Sequence, residues 1–465
     1  MASSRWLVVI STAALSAVGP ALTFAAAPPL PPPPPLSNGS FPDSAGLWSN
    51  MVRSSTQTNT PFFQSLGSNG RTCATCHAPA DAWTVTPAHA QQRFTTTNGT
   101  DPLFASLDGT NCPGLKTTTV ADRQVASSLL LKKGLIRVAL TPPAQSQFSV
   151  TSVANPYGCT STASVSVYRR ILPSANLPFL TTVMWDGRES ATTTSVSTAL
   201  LQQAKDAILG HAAATATPTA ATLQSIVAQE LGIFSAQTSD NRAGSLSAGG
   251  AKGGVTNLSQ QSFTPGGNDP FGPSAPAPGV TPNPVFSLFG AWASLAGTSP
   301  TAQSQASIAR GEKIFNTRPM TLRGIAGLND QKDRRGQPLT TVTGTCGVCH
   351  NAPNVGSNTL GRMFDTGVSR PENQSGDLPV ITLRNKTTGA LVQTTDPGLA
   401  LTTGLWSDVN KFKAPGLRNL AARGPYFHNG SAGSLDAVVN FYNNRFGLNL
   451  STQERADLIA FLASL

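Results

Sequence analysis

The sequence predicts a mainly α fold of two helical domains with long loops, and three observations carry that prediction. Strand signals are sparse. Several stretches space their apolar residues at helical intervals. One Cys-x-x-Cys-His string occurs twice, at 73–77 and at 346–350, as the only sign of an internal repeat. The length of 465 residues is enough for two or three domains and more than one buried core.

Residues 1–26 read as a secretory signal. Arg5 lies in a short polar start, an apolar stretch runs from Trp6 to Ala17, and Ala25 to Ala27 offer the small residues a signal peptidase needs. Ser11, Thr12, Ser16 and Pro20 interrupt the apolar run, which falls short of the roughly 20 apolar residues of a spanning helix. A periplasmic product with no membrane span after cleavage is expected. Residues 27–43 are a proline-rich spacer, extended and without apolar surface for a core.

Residues 44–236 form the expected N-terminal domain. Leu223, Ile226, Val227, Leu231 and Phe234 follow near-helical spacing with Glu230 as the polar exception, which predicts a closing amphipathic helix. Residues 237–300 are the expected linker or insertion, because Gly, Ser, Pro, Asn and Thr dominate up to about residue 284. Residues 301–465 form the second domain. It opens on a helix over 307–315. Leu435, Val438, Val439 and Tyr442 stand at i, i+3, i+4 and i+7, so Tyr442 points inward. Ser451 and Glu454 make a capping-box pattern ahead of a last helix through Leu458, Ile459, Phe461 and Leu462.

The chain is basic but thinly charged: 12% Asp, Glu, Lys and Arg, a formal charge of +10 and a pI near 9.6. Its cations come as scattered pairs such as Lys132-Lys133, Arg169-Arg170 and Arg334-Arg335, with no basic block, so no nucleic-acid partner is expected. Four of the six cysteines belong to the two strings. The remaining pair, Cys112 and Cys159, is expected to form a disulfide in an oxidising compartment.

In a Cys-x-x-Cys-His string the two thiols add across the vinyl groups of one haem and the adjacent histidine reaches its iron. Cys73, Cys76 and His77 therefore predict one covalent c-type haem, and Cys346, Cys349 and His350 a second. A zinc site built from four cysteines would use the same paired spacing, but it leaves His77 and His350 without a purpose. The haem propionates are a possible use for part of the positive charge. A second ligand decides whether an iron is closed or open. The candidates are His89, His211, His428, Met363 and Tyr442.

The string Phe412-Lys413-Ala414-Pro415-Gly416-Leu417-Arg418-Asn419-Leu420, continuing to Gly424-Pro425-Tyr426-Phe427-His428-Asn429-Gly430, resembles the C-terminal signature of bacterial di-haem cytochrome c peroxidases and their MauG-like relatives. Trp185-Asp186-Gly187-Arg188 resembles the same family's Trp-Asp-Gly-Arg. The resemblance implies two cytochrome c-like haem domains in a periplasmic enzyme, the N-terminal haem meeting hydrogen peroxide and the C-terminal haem relaying electrons. It gives Trp185 a role in electron passage between them; a core aromatic is the plain alternative. Counting 14 residues from His428, it places Tyr442 where the peroxidases carry a ligating Met and MauG-like relatives a Tyr. Tyr442 is thus a ligand or a core tyrosine, with Met363, 13 residues after His350, as the other candidate.

The N-terminal side departs from the family. Leu201-Gln202-Gln203-Ala204 resembles the stretch with the family's distal Gln, which Gln203 matches, but the acid expected near Ala213 is missing. His211 stands two residues away, suited to a base or second ligand because imidazole titrates near neutrality. His89, 12 residues after His77, is the alternative closing ligand; either is otherwise a loop histidine. Arg169-Arg170-Ile171-Leu172-Pro173 lies where the family carries a calcium-binding Asn, which puts calcium in doubt. The expected activity is peroxide reduction with electrons from a small soluble cytochrome c or cupredoxin. The alternatives are MauG-like oxidation of a protein side chain and a non-catalytic di-haem electron carrier.

Overall fold

The computed structural model describes residues 39–52, 60–190, 195–295, 297–333 and 336–465. The signal segment, the spacer through residue 38 and the pair Arg334-Arg335 lie outside the described residues.

The expectation of a mainly α protein is overturned: the described residues are 32% helical and 17% strand, the strands lying in five small sheets, so the class is mixed α/β. Two features hid the strands. Val165–Arg170 is buried at every position and Ile233–Asp240 over its first five, so neither shows the alternation of a half-exposed strand. Met363–Phe364 and Phe412–Lys413 pair as two-residue strands, too short for any periodicity. The largest sheet orders Ser40–Pro42, Gly46–Val52, Ile233–Asp240 and Gly244–Ser245. A three-stranded sheet joins Phe148–Ala154 to Val380–Asn385 and Leu391–Thr394, pairing segments more than 200 residues apart, as in the register Ile381 to Val153.

The helices follow their sequence signals. Ser299 caps Pro300–Thr317 by accepting from the Ala302 amide at 3.2 Å, with Pro300 in the first turn. Leu435–Phe446 and Thr452–Ala463 close the chain, the second with the expected Ser451–Glu454 capping box. Pro300–Thr317 and Thr452–Ala463 touch at Gly311, where an added Cβ would lie 2.0 Å from the Asp457 carbonyl oxygen. That close approach brings the rings of Phe286, Phe315 and Phe461 to centroid separations of 5.0–5.8 Å in the largest apolar core.

The Gly- and Ser-rich stretch is not bare loop. It carries the helix Val255–Ser259, and Val255 and Leu258 bury against Phe179 and Phe234. The predicted closing helix spans Ala220–Leu231, while Phe234 belongs to the following strand. Cys112 and Cys159 are disulfide-bonded, as expected.

Candidate functional site

Each Cys-x-x-Cys-His string is a single 3-10 turn opening onto its own cavity. In the first, Thr72 caps Cys73–Thr75 by accepting from the Thr75 amide at 3.2 Å, and the His77 amide donates to the Cys73 carbonyl at 2.9 Å. Thr345 caps Cys346–Val348 in the same way through the Gly347 amide, and the His350 amide donates to the Cys346 carbonyl at 3.1 Å. The imidazoles repeat the pattern. His77 Nδ1 lies 3.1 Å from the Trp83 carbonyl and His350 Nδ1 2.5 Å from the Gly356 carbonyl. A carbonyl only accepts, so both rings donate from Nδ1. Burial pushes His77 down to about 4 and lowers His350 as well, which holds both in the neutral form a metal requires.

Burial pushes Cys73, Cys346 and Cys349 up to about 12 and Cys76 up to about 11. The two strings face different cavities, so their four sulfurs do not converge as the ligands of one zinc cluster would. Among the described residues no group of three or more His, Cys, Asp and Glu converges to hold a metal ion.

The first cavity brings together Cys73, Cys76, His77, Gln203, His211 and Trp185. One face of the helix Val196–Gly210 supplies Leu200, Gln203, Ala204, Ala207 and Ile208, and His211 follows at its C-terminal cap. His211 Nδ1 hydrogen-bonds Asp108, which also takes the Arg71 guanidinium. An anchored Nδ1 leaves Nε2 as the working nitrogen. The acid missing near Ala213 has a counterpart from another helix: Glu230, on Ala220–Leu231, lines this cavity. It is 5% exposed, one of its oxygens has no hydrogen-bond partner, and burial pushes its carboxyl up to about 8. The sequence marked it as the polar residue on an apolar stripe, without saying what it faces.

The second cavity brings together Cys346, Cys349, His350, Tyr442 and again Trp185, among Phe315, Leu322, Leu417 and Leu462. Burial raises the Tyr442 phenol, and the neighbouring Cys349 and Cys346 add to the effect. Its ring stacks on Phe446 at 5.7 Å. His428 also lines this space, stacked on Phe412 at 3.8 Å with Nε2 3.1 Å from the Ser369 hydroxyl.

His89 and Met363 are not brought to either cavity. His89 Nδ1 pairs with Asp81 at 2.7 Å on the helix Pro87–Thr97, and the Met363 thioether packs against Gly187. With Arg170, Ile171, Leu172, Pro173 and Lys413, Trp185 lines both cavities. Its Nε1 donates to the Arg170 carbonyl at 2.8 Å and its carbonyl accepts from the Lys413 amide at 3.0 Å. Behind it, buried Arg169 donates to Asp396 at 2.6 and 2.9 Å and to Asp186 at 2.5 Å.

The two cavities fit haem: apolar walls, paired thiols at one-macrocycle spacing and a neutral imidazole beside each pair.

No family model matches the chain. Over 157 residues it is 38% identical to the cytochrome-c peroxidase IdrP2 of Denitromonas iodatirespirans, covering 30% of this chain and 41% of that protein. It is 43% identical over 65 residues to the methylamine utilization protein MauG of Methylorubrum extorquens, covering 12% of this chain and 18% of that one. A MauG-like protein associated with microbial copper homeostasis aligns in structure over 87% of both chains at 13% identity, with a TM-score of 0.39. The chain thus spans about two fifths of the length of the first curated relatives it matches. Those relatives come from the cytochrome c peroxidase and MauG-like family that the sequence strings resemble.

Proposed function

We propose, for a chain whose relatives are cytochrome-c peroxidases and MauG, a periplasmic di-haem oxidoreductase that reduces hydrogen peroxide with electrons from a small soluble cytochrome c or cupredoxin. The observation that carries the reading is the pair of cavities, each opened by a Cys-x-x-Cys-His turn with a neutral imidazole and both walled by Trp185. Haem, when bound, supplies iron that takes peroxide oxygen and stores and passes electrons. Cys73 and Cys76 would hold one haem with His77 as ligand, and Cys346 and Cys349 the other with His350.

Peroxide cleavage needs a proton moved from one oxygen to the other. In the first cavity His211, anchored through Nδ1 to Asp108, has Nε2 to accept that proton, and the Gln203 amide can orient the oxygens. Glu230 holds a second proton on a buried carboxyl at neutral pH. Leu200, Ala204 and Ile208 supply the apolar wall beside these groups. The disulfide and the leader-like start support the exported location.

Tyr442 favours a second reading, MauG-like oxidation of a side chain of another protein, because it lines the second cavity together with Cys346, Cys349 and His350. The holo-protein separates the readings. A high-spin ferric signal with fast turnover on reduced cytochrome supports peroxide reduction. A long-lived oxidised species with little turnover supports the second. Two closed irons in every redox state leave only an electron carrier.

A further inference from the structure

Three cations meet where the two cavities approach each other. A small chamber lined by Lys413, Arg418 and Arg423 shares Leu172, Pro173 and Lys413 with the first cavity, and Lys413 and Arg423 with the second. Arg170 adds a fourth cation, lining both large cavities. Lys413 is 6% exposed, Arg418 4% and Arg170 5%.

None of the four forms an ion pair among the described residues. Lys413 Nζ donates only to the Thr182 carbonyl at 2.6 Å. Arg170 spends its guanidinium on the carbonyls of Val85, Lys133, Gly134, Arg423 and Gly424. Arg423 donates to the Asn419 and Gly416 carbonyls. Arg418 reaches the Asn354 carbonyl through Nε, while its Nη1 is buried without a partner. Glu312, the acid that attracts Arg418, has both oxygens committed to the Leu288 and Phe289 amides.

The same fold treats Arg169 differently, pairing it with two carboxylates. A buried cation without a counter-ion costs several kcal/mol, and buried Lys413, Arg418 and Arg170, with half-buried Arg423 beside them, call for anions from outside the chain. Burial pushes Lys413 down to about 8, Arg418 to about 9, and Arg423 to about 10, which an arriving anion would reverse. The anion must reach a chamber enclosed between the two cavities and bring more than one negative charge. Carboxylates carried on the groups that fill those cavities meet both conditions.

We infer that Lys413, Arg418, Arg423 and Arg170 form one carboxylate seat shared by the propionates of both haems. The inference rests on the di-haem reading above. It makes Lys413 a positioning residue for two groups at once, since this residue lines both cavities and the chamber between them.

The test uses holo-protein, comparing the natural chain with Lys413→Met, Lys413→Arg and Arg423→Gln. Resonance Raman reads the propionate bending bands, potentiometry the two midpoints, and haem per chain the loading. Lys413→Met should keep two haems, move the propionate bands and lower both midpoints, because losing a nearby cation favours ferric iron. Lys413→Arg should leave bands and midpoints near those of the natural chain. Unchanged bands and midpoints in a loaded Lys413→Met overturn the seat. If that variant does not fold, Arg423→Gln is judged in the same way on its bands and on the midpoint of the second haem. If neither accumulates, the natural chain decides: propionate bands at the position of free hydrated carboxylates overturn the seat, and displaced bands support it. A natural chain that matures without covalent haem defeats the di-haem reading itself, which is a different result from a loaded protein with unperturbed propionates.

Discussion

At the scale of single residues, the first cavity turns on three side chains from three places in the chain. Gln203 and His211 stand on and just past one helix, and Glu230 on the next. Only Gln203 and His211 were legible in the sequence. Glu230 sits 157 residues from Cys73, and what placed it opposite that string is helix packing, which no local pattern encodes. Its proton leads to a pH prediction. Burial raises the carboxyl from 4.5 in the unfolded chain to about 8, so the folded state binds the proton more tightly. The stabilisation this gives is full below about 4.5 and fades as pH rises through about 8. Thermal melts from pH 5 to 9 should therefore show a decline in Tm with rising pH that is shallower in Glu230→Gln; identical slopes would show that Glu230 does not titrate this way. At the second cavity, Tyr442→Phe should change the spectrum of the C-terminal haem if the phenol is its ligand. An unchanged spectrum leaves Tyr442 as a core tyrosine.

At the scale of elements, the helices could be read from the sequence because their signals are local, Ser451 and Glu454 as a capping box and the stripe from Leu435 to Tyr442, although the helix expected over 307–315 starts earlier, at Pro300. The strands could not. Their pairing is long-range, as in Val153 with Ile381, and their burial on both faces removes the alternation that identifies a strand. Two element contacts make predictions. Gly311→Val pushes a branched side chain into the Asp457 carbonyl and Phe461, and should cost about 1–3 kcal/mol or more in chemical denaturation. Arg169→Met leaves Asp186 and Asp396 buried without their cation and should cost about 3–5 kcal/mol. A loss below about 1 kcal/mol would mean that Arg188, which also reaches Asp186, is enough to hold the network.

At the scale of the whole molecule, the 47-residue separation of Cys112 and Cys159 makes their bond a constraint on the unfolded chain. Replacing both with serine should lower stability by about 2–4 kcal/mol in oxidising buffer. A reductant should bring the natural chain down to the same level, and melts with and without it check this. The two Cys-x-x-Cys-His strings were the clearest sequence signal because attachment chemistry fixes their spacing within five residues. The chamber of cations between the cavities was invisible, since Arg170 and the 413–423 segment meet only in the folded chain.

The twin turns have a consequence for how the protein is made. The turn hydrogen bonds at His77 lie between Thr72 and Trp83 and those at His350 between Thr345 and Gly356, but the distant Leu172 and Pro415 carbonyls also bear on the two rings. Each turn thus forms locally, while its imidazole is fully set only once Leu172 or Pro415 has folded against it.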